Sequence, residues 1–164
     1  MVVVNKLFIT LSFIIFLLLS SIYITLAEDD LQKSVEIARN AIKVQSLRMK
    51  VVAENLANED STASNPDQEP YRRKLIFARN QYDKKLKTNV VKLYKYGVDT
   101  KTPLKVKYNL GHPAADKDGF LLLPNVDKAI EKADSVEAQR SIEANLSVVE
   151  ISREMMQKTL EILK

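Results

Sequence analysis

Near each end of this chain an apolar stripe repeats at alternating steps of four and three, and that spacing constrains the fold more than any other feature. The first stripe is Leu31, Val35, Ala38, Ile42, Gln45, Met49, Val52 and Leu56, broken once by the polar Gln45. The second is Ile142, Leu146, Val149, Arg153, Met156, Leu160 and Leu163, broken at Arg153. A repeat of about 3.5 residues nearly matches the helical turn, so each stripe lies along one side of an α-helix suited to lengthwise pairing. A second apolar row, Ile37, Val44 and Val51 on the first helix and Val148, Met155 and Ile162 on the second, widens both faces. A two-stranded coiled coil needs only the narrow seam, so the wider face calls for more than one helical neighbour.

Energetics agree. Fixing a residue's backbone costs roughly 1–2 kcal/mol, and each fully buried large aliphatic side chain returns roughly 1.5–3 kcal/mol. An isolated amphipathic helix of this length does not stay folded, so these helices need partners.

The chain has 164 residues, enough for one domain with an elaborated middle, and its 46% hydrophobic content suits a folded protein. It has no cysteine, which excludes a disulfide framework, a thiolate nucleophile and a zinc-thiolate centre. The net charge of +4 is unevenly spread: Tyr71 to Tyr108 holds twelve Lys/Arg against Asp83 and Asp99. The segments on either side, 28–70 and 109–164, carry −4 and −3. Acidic ends around a basic centre favour contact between unlike surfaces of neighbouring copies, although a solvated basic face is the plainer reading of such a run.

Leu7 to Leu26 is almost wholly apolar, with Lys6 before it and Glu28, Asp29 and Asp30 after it. Residues 1–27 are therefore expected to be a targeting or anchoring segment. Thr25-Leu26-Ala27 offers the small residues of a signal-peptidase site, and the length also suffices for a bilayer span with its amino end in the cytoplasm. Either way the rest of the chain leaves the cytoplasm.

After the first helix, expected over 28–58, the segment 59–70 is rich in turn formers and holds Pro66 and Pro70, so it reads as a flexible loop. The middle, 71–124, reads as β-rich, with strands expected at Tyr71 to Phe77, Asn89 to Tyr96, Leu104 to Tyr108 and Phe120 to Leu123. Asn125 or Asp127 is placed to cap the closing helix, expected over 125–164. The fold class this predicts is α+β: long N- and C-terminal helices packing as a coiled-coil-like pair around a small β-rich insert.

Candidate chemistry is sparse. The one histidine, His112, lies between Gly111 and Pro113 and has Asp116 nearby, but no serine sits in a nucleophile turn and no cysteine exists, so a turn role is expected. Asp116-Lys117-Asp118-Gly119 resembles the opening of a calcium loop without its later ligands, and reads as a tight turn. Tyrosines interleave with Lys and Arg through the basic stretch as nucleic-acid stacking would need, yet a half-exposed strand needs the same alternation. The glycosylation pattern Asn145-Leu146-Ser147 falls inside the expected closing helix and is taken as chance. No catalytic residue, metal site or cofactor is expected, and no nucleic-acid partner. Membrane contact is expected only through 1–27, if that segment is uncleaved.

The segment Ser46 to Asn58, with Arg48, Ala53, Asn55, Ala57 and Asn58, resembles the signature near the start of bacterial flagellar basal-body rod proteins, the axial family of rod and hook. Further pieces narrow the resemblance to the proximal rod. These are Pro70-Tyr71-Arg72-Arg73-Lys74, then Gly111-His112-Pro113-Ala114-Ala115-Asp116-Lys117-Asp118-Gly119-Phe120, then Pro124-Asn125-Val126-Asp127. The tail adds Arg140-Ser141-Ile142-Glu143-Ala144-Asn145-Leu146 and Met155 to Leu160, so the resemblance covers roughly residues 31 to 164.

This resemblance implies a structural subunit that stacks helically with other rod proteins and with itself into the periplasmic drive shaft, transmitting torque from motor to hook and serving flagellum-dependent motility. It implies an interface along Leu31, Val35, Ile42, Met49, Val52, Leu56, Ile142, Leu146, Val149, Met156 and Leu160, and contact with the flagellar export apparatus. Asn55 and Asn58 would end the first helix and tie it to the adjoining loop, and Arg140 and Asn145 would sit at polar contacts along the second. Two departures stand out. Residues 1–27 are foreign to the family pattern, and Glu131-Lys132-Ala133-Asp134 replaces an apolar stretch usual there, with Ile142 where an aromatic is common, so altered packing is expected around them. The rival expectation is a membrane-anchored or periplasmic binding protein that keeps the rod fold without assembling.

Overall fold

A computed structural model describes the backbone of residues 2–162 and the side chains of residues 29–162. The leader or anchor expected over residues 1–27, and Leu163 of the second stripe, lie outside the residues whose side chains are described. Six elements follow one another: α1 (Val2–Ala57), β1 (Lys74–Asp83), β2 (Thr88–Val98), β3 (Lys105–Tyr108), β4 (Phe120–Leu123) and α2 (Lys128–Ile162). Long terminal helices flanking a small antiparallel insert are the α+β architecture that the two stripes and the turn-rich middle require. Among residues 29–162, whose side chains are described, no helix is long and apolar enough to cross a membrane.

The chain divides into two compact units, one of Met1–Ala38 with Ser147–Lys164 and the other of Arg39–Leu146. In the first, the two stripes meet. Val35 and Ala38 of α1 form a buried cluster with Val149 of α2, and Met156 packs against it. All four are seam residues, so the seams partner each other within the chain, as in a coiled-coil pair.

In the second unit the strands form two separate ribbons. β1 pairs antiparallel with β2 and β3 with β4. The first strand begins at Lys74, three residues later than its alternation suggests, and continues to Asp83. A bulge between Phe77 and Ala78 shifts the register there, which breaks the period-two pattern that sequence reading relies on. The turn between β3 and β4 is held by Asp116, whose Oδ1 accepts the backbone N–H groups of Asp118 (2.9 Å) and Phe120 (2.8 Å). Gly119 there takes φ +83, and a Cβ on it would lie 2.8 Å from the Tyr108 ring, so the position needs glycine on both counts.

Asp127 is the residue that caps α2, because its Oδ1 accepts the N–H groups of Ala129 (2.8 Å) and Ile130 (3.2 Å). Asn125, the other candidate, has a different task. Its Oδ1 accepts from Arg73 N–H at 2.8 Å, and its Nδ2 donates to the carbonyls of Asp99 and Thr102 at 3.0 and 3.1 Å. It thereby fastens the entry of β1 to the turn that follows β2.

Candidate functional site

A helix that is to meet partners must first be held at a fixed angle to the rest of its domain. In the second unit this is done by a polar junction at the end of α1. Asn55 is 1% exposed and uses its whole amide: Nδ2 donates to Lys74 O and to Glu131 Oε2, each at 3.0 Å. Its Oδ1 accepts from Lys74 N–H and from the Tyr71 hydroxyl, each at 2.8 Å. One buried amide thus joins α1, the start of β1 and the first turn of α2.

Glu131 is fully buried, and its second oxygen receives Arg73 Nε at 2.6 Å. The same guanidinium reaches Asp134 Oδ2 at 3.2 Å. A buried carboxylate is tolerated only when paired and hydrogen-bonded, and here both oxygens are engaged. The charged stretch from Glu131 to Asp134 is therefore accommodated by Arg73, whose planar guanidinium serves two carboxylates at once. Around these groups lies an open cavity of about 250 Å³ with mixed polar and apolar walls, lined by Arg48, Val51, Val52, Asn55, Arg73 and Glu131 among others. The Tyr71 hydroxyl is pushed up to about 12 by burial, with the carboxylates of Glu54 and Glu131 adding to the shift. Lys74 completes the junction through an ion pair with Glu54.

Among the seam positions, Val35, Val52 and Val149 are buried and Leu31, Ile42, Met49, Leu56, Ile142 and Met156 are half-buried. Leu146 and Leu160 remain exposed at 46% and 53%. Of the second row, Val44 and Val51 of α1 are buried and Ile37 is exposed, whereas Val148, Met155 and Ile162 of α2 are all exposed, with Ile151 beside them. The polar break Gln45 leaves its Oε1 buried and without a hydrogen-bond partner.

The family-motif residues fall into three places. Asn55, Tyr71 and Asn125 converge on the junction, with Pro124 and Val126 buried next to Asn125 in the chain. Ala57 is the last residue of α1, and beyond it Asn58 donates from Nδ2 to Glu54 O at 2.8 Å, closing the helix end on itself. Arg48 reaches Glu137 at 3.8 Å, and Arg72 pairs with Glu69. Gly111, His112, Pro113, Asp116 and Gly119 build the turn between β3 and β4. Both ring nitrogens of His112 are engaged there, Nδ1 accepting Ala114 N–H at 3.1 Å and Nε2 lying 3.3 Å from Thr62 Oγ1. Ala53, Arg140 and Ala144 are exposed and join nothing at the junction. Asn145 donates to Ser141 O at 2.7 Å, within its own helix.

Arg73, Glu131 and Asp134 went unassigned as a site by sequence reading. The available signal was the spacing of Glu131 and Asp134, three apart in the first turns of α2 and therefore on one face.

The junction and the seams are the parts of a structural subunit, and the comparisons with known proteins agree. Residues 117–162 match the model of the flagellar basal body rod FlgEFG protein C-terminal family. The flagellar basal-body rod protein FlgC of Agrobacterium fabrum is 40% identical over 136 residues, covering 83% of this chain and 97% of that protein. The FlgC protein of Salmonella typhimurium is 38% identical over 125 residues, 76% of this chain and 92% of that protein. That of Borreliella burgdorferi is 35% identical over 147 residues, 80% of this chain and 96% of that protein. With helices, insert and motif residues all accounted for along this length, the chain belongs to the FlgC family of flagellar basal-body rod proteins.

Proposed function

We propose that this chain is a structural subunit of the proximal rod of the flagellar basal body, stacking helically with other rod proteins and with copies of itself in the periplasm to carry torque from motor to hook. The observation that carries this reading is the division of the α2 surface. One row of the helix is spent on α1, at Val149 and Met156, and a second row of Val148, Met155 and Ile162 is left exposed. A helix with a second apolar row is built for a further helical neighbour. Head-to-tail contacts between unlike surfaces, where the rotation does not close a ring, propagate along a shaft. The work is mechanical, and the side chains that could have served catalysis, His112 and Asp116, are engaged in a turn.

Transport through the flagellar export apparatus, and a role for residues 1–27 as leader or anchor, belong to the same reading. The test is to isolate basal bodies from cells producing the tagged full-length chain and to sequence its amino terminus in that fraction. Recovery with the other rod proteins supports the reading. Recovery only in the membrane fraction, with Met1 intact, favours a tethered protein that keeps the fold without assembling.

A further inference from the structure

The ribbon of β1 and β2 is strongly basic. Between Lys74 and Val98 seven Lys/Arg stand against Asp83 alone, a balance of +6. That one carboxylate is taken by Lys92 at 2.9 Å. Lys84, Lys85 and Lys87 at the tip are exposed and have no ion-pair partner among the described residues. Lys87 sits at φ 53, a left-handed conformation that glycine or asparagine adopts more readily, so a lysine here places charge at the tip at some conformational cost.

Along the stem, the Arg79 guanidinium stacks 4.5 Å from the Tyr94 ring, and Lys95 lies 5.2 Å from that of Phe77. Tyr82, Tyr94 and Tyr96 are each more than half exposed. Tyrosine and arginine are among the side chains that dominate protein interfaces.

The complementary surface lies on the same chain. Residues 58–70 carry Glu59, Asp60, Asp67 and Glu69 and no Lys or Arg, and of these Glu59 is paired with Lys128 and Glu69 with Arg72. Asp60 and Asp67 are exposed and lack an ion-pair partner among the described residues. We propose that the β1–β2 ribbon of one copy docks on the acidic 58–70 loop of a second copy. The contact is between unlike surfaces, so it repeats from copy to copy, and its opposite charges steer the encounter and fix its register. The proposal rests on the rod-subunit reading, which brings copies together. It adds a second joint, electrostatic and placed in the insert, to the apolar one on the helices.

Because the chain has no cysteine, introduced thiols report the contact against a clean background. Full-length chains bearing Lys85→Cys and Asp67→Cys, separately tagged, are mixed and oxidised. The mixed disulfide is expected in several-fold excess over either homodimer, and that excess should fall as salt rises. Adding Lys84→Glu and Lys87→Glu to the ribbon should abolish it, and adding Asp60→Lys to the loop should restore it. Random pairing of equal amounts gives the mixed dimer twice the yield of either homodimer, so a mixed yield at or below that level overturns the proposal, as does a dominant Lys85→Cys homodimer. So does lysine-dependent retention on phosphatidylglycerol vesicles without the mixed disulfide, which would assign the ribbon to a lipid surface. A chain recovered in basal bodies but forming no mixed disulfide loses this joint and keeps the rod reading, whereas absence of the wild-type chain from basal bodies removes the reading beneath it.

Discussion

Arg73 donates from Nε to Glu131 Oε1 at 2.6 Å, across 58 residues of sequence, and the receiving carboxylate has no exposure to solvent at all. Breaking a buried pair by removing one partner typically costs about 3–5 kcal/mol, because the other charge is left stranded. Glu131→Gln is expected at or below the low end, about 3 kcal/mol, since Arg73 is partly exposed and keeps Asp134. Arg73→Met should cost more, because it leaves the buried carboxylate with Asn55 alone. Urea unfolding of both variants, followed by circular dichroism, orders the two costs; Glu131→Gln as the more damaging change would contradict the assignment.

Asn55 is the second member of the junction, and its two substitutions separate hydrogen bonding from charge. Asn55→Ala removes four hydrogen bonds and exposes buried partners, with an expected loss of about 2–3 kcal/mol. Asn55→Asp keeps the size but replaces the donor to Glu131 Oε2 by a second carboxylate in a buried site, so it should be the worse of the two at neutral pH and recover partly on acidification. Equal stability of the two variants across that pH range would show that the charge of Glu131 is not felt at Asn55.

Tyr71 sets an alkaline limit. Burial, then the nearby Glu54 and Glu131 carboxylates, push its hydroxyl from the ordinary 10.0 to about 12. Between those values the folded chain keeps a proton that the unfolded chain has lost, so stability falls as pH rises. The contribution is whole below pH 10.0 and is lost on rising through about 12. Tyr71→Phe should flatten this limb of the stability profile while costing stability at neutral pH through the lost bond to Asn55. A wild-type profile that matches the variant's above pH 10.0 would contradict the shift.

Gly119→Ala tests the turn between β3 and β4. The added Cβ must adopt φ +83 and would press to 2.8 Å against Tyr108, so a loss of at least about 1–2 kcal/mol is expected. Backbone amide exchange across Lys105–Tyr108 and Phe120–Leu123 should rise locally in the variant; unchanged protection would show that the turn relaxes freely.

Much of this architecture was legible in the sequence because it is periodic. The stripe residues Val35, Ala38, Val149 and Met156 announce two helices and do meet, and β3 and β4 fall within a residue of where their alternation puts them. The first strand was misplaced for a physical reason. Ala78-Arg79-Asn80-Gln81 carries no strand signal of its own and is extended because β2 supplies its ladder partners beyond the bulge. The junction was harder to see. A glutamate and an aspartate on an amphipathic helix read as solvent-facing, and only the fold brings Arg73 to them. Substitutions that look disruptive at Glu131 and Asp134 are thus compensated by a residue far away in the chain.

As a rod subunit, the chain should use the exposed apolar positions of α2 as joints to its neighbours. Val148 and Met155 are the most direct probes, because each is about half exposed in the isolated chain and its replacement should leave the fold intact. The decisive measurement is the quantity of full-length chain, by mass spectrometry, in basal bodies purified from cells producing either the wild type or the Val148→Asp, Met155→Asp double variant. A carboxylate on such a face cannot be desolvated cheaply, so the variant should accumulate in the cell with normal helix content and be missing from the basal bodies. Incorporation of the variant at the wild-type level would show that these positions are not joints between subunits.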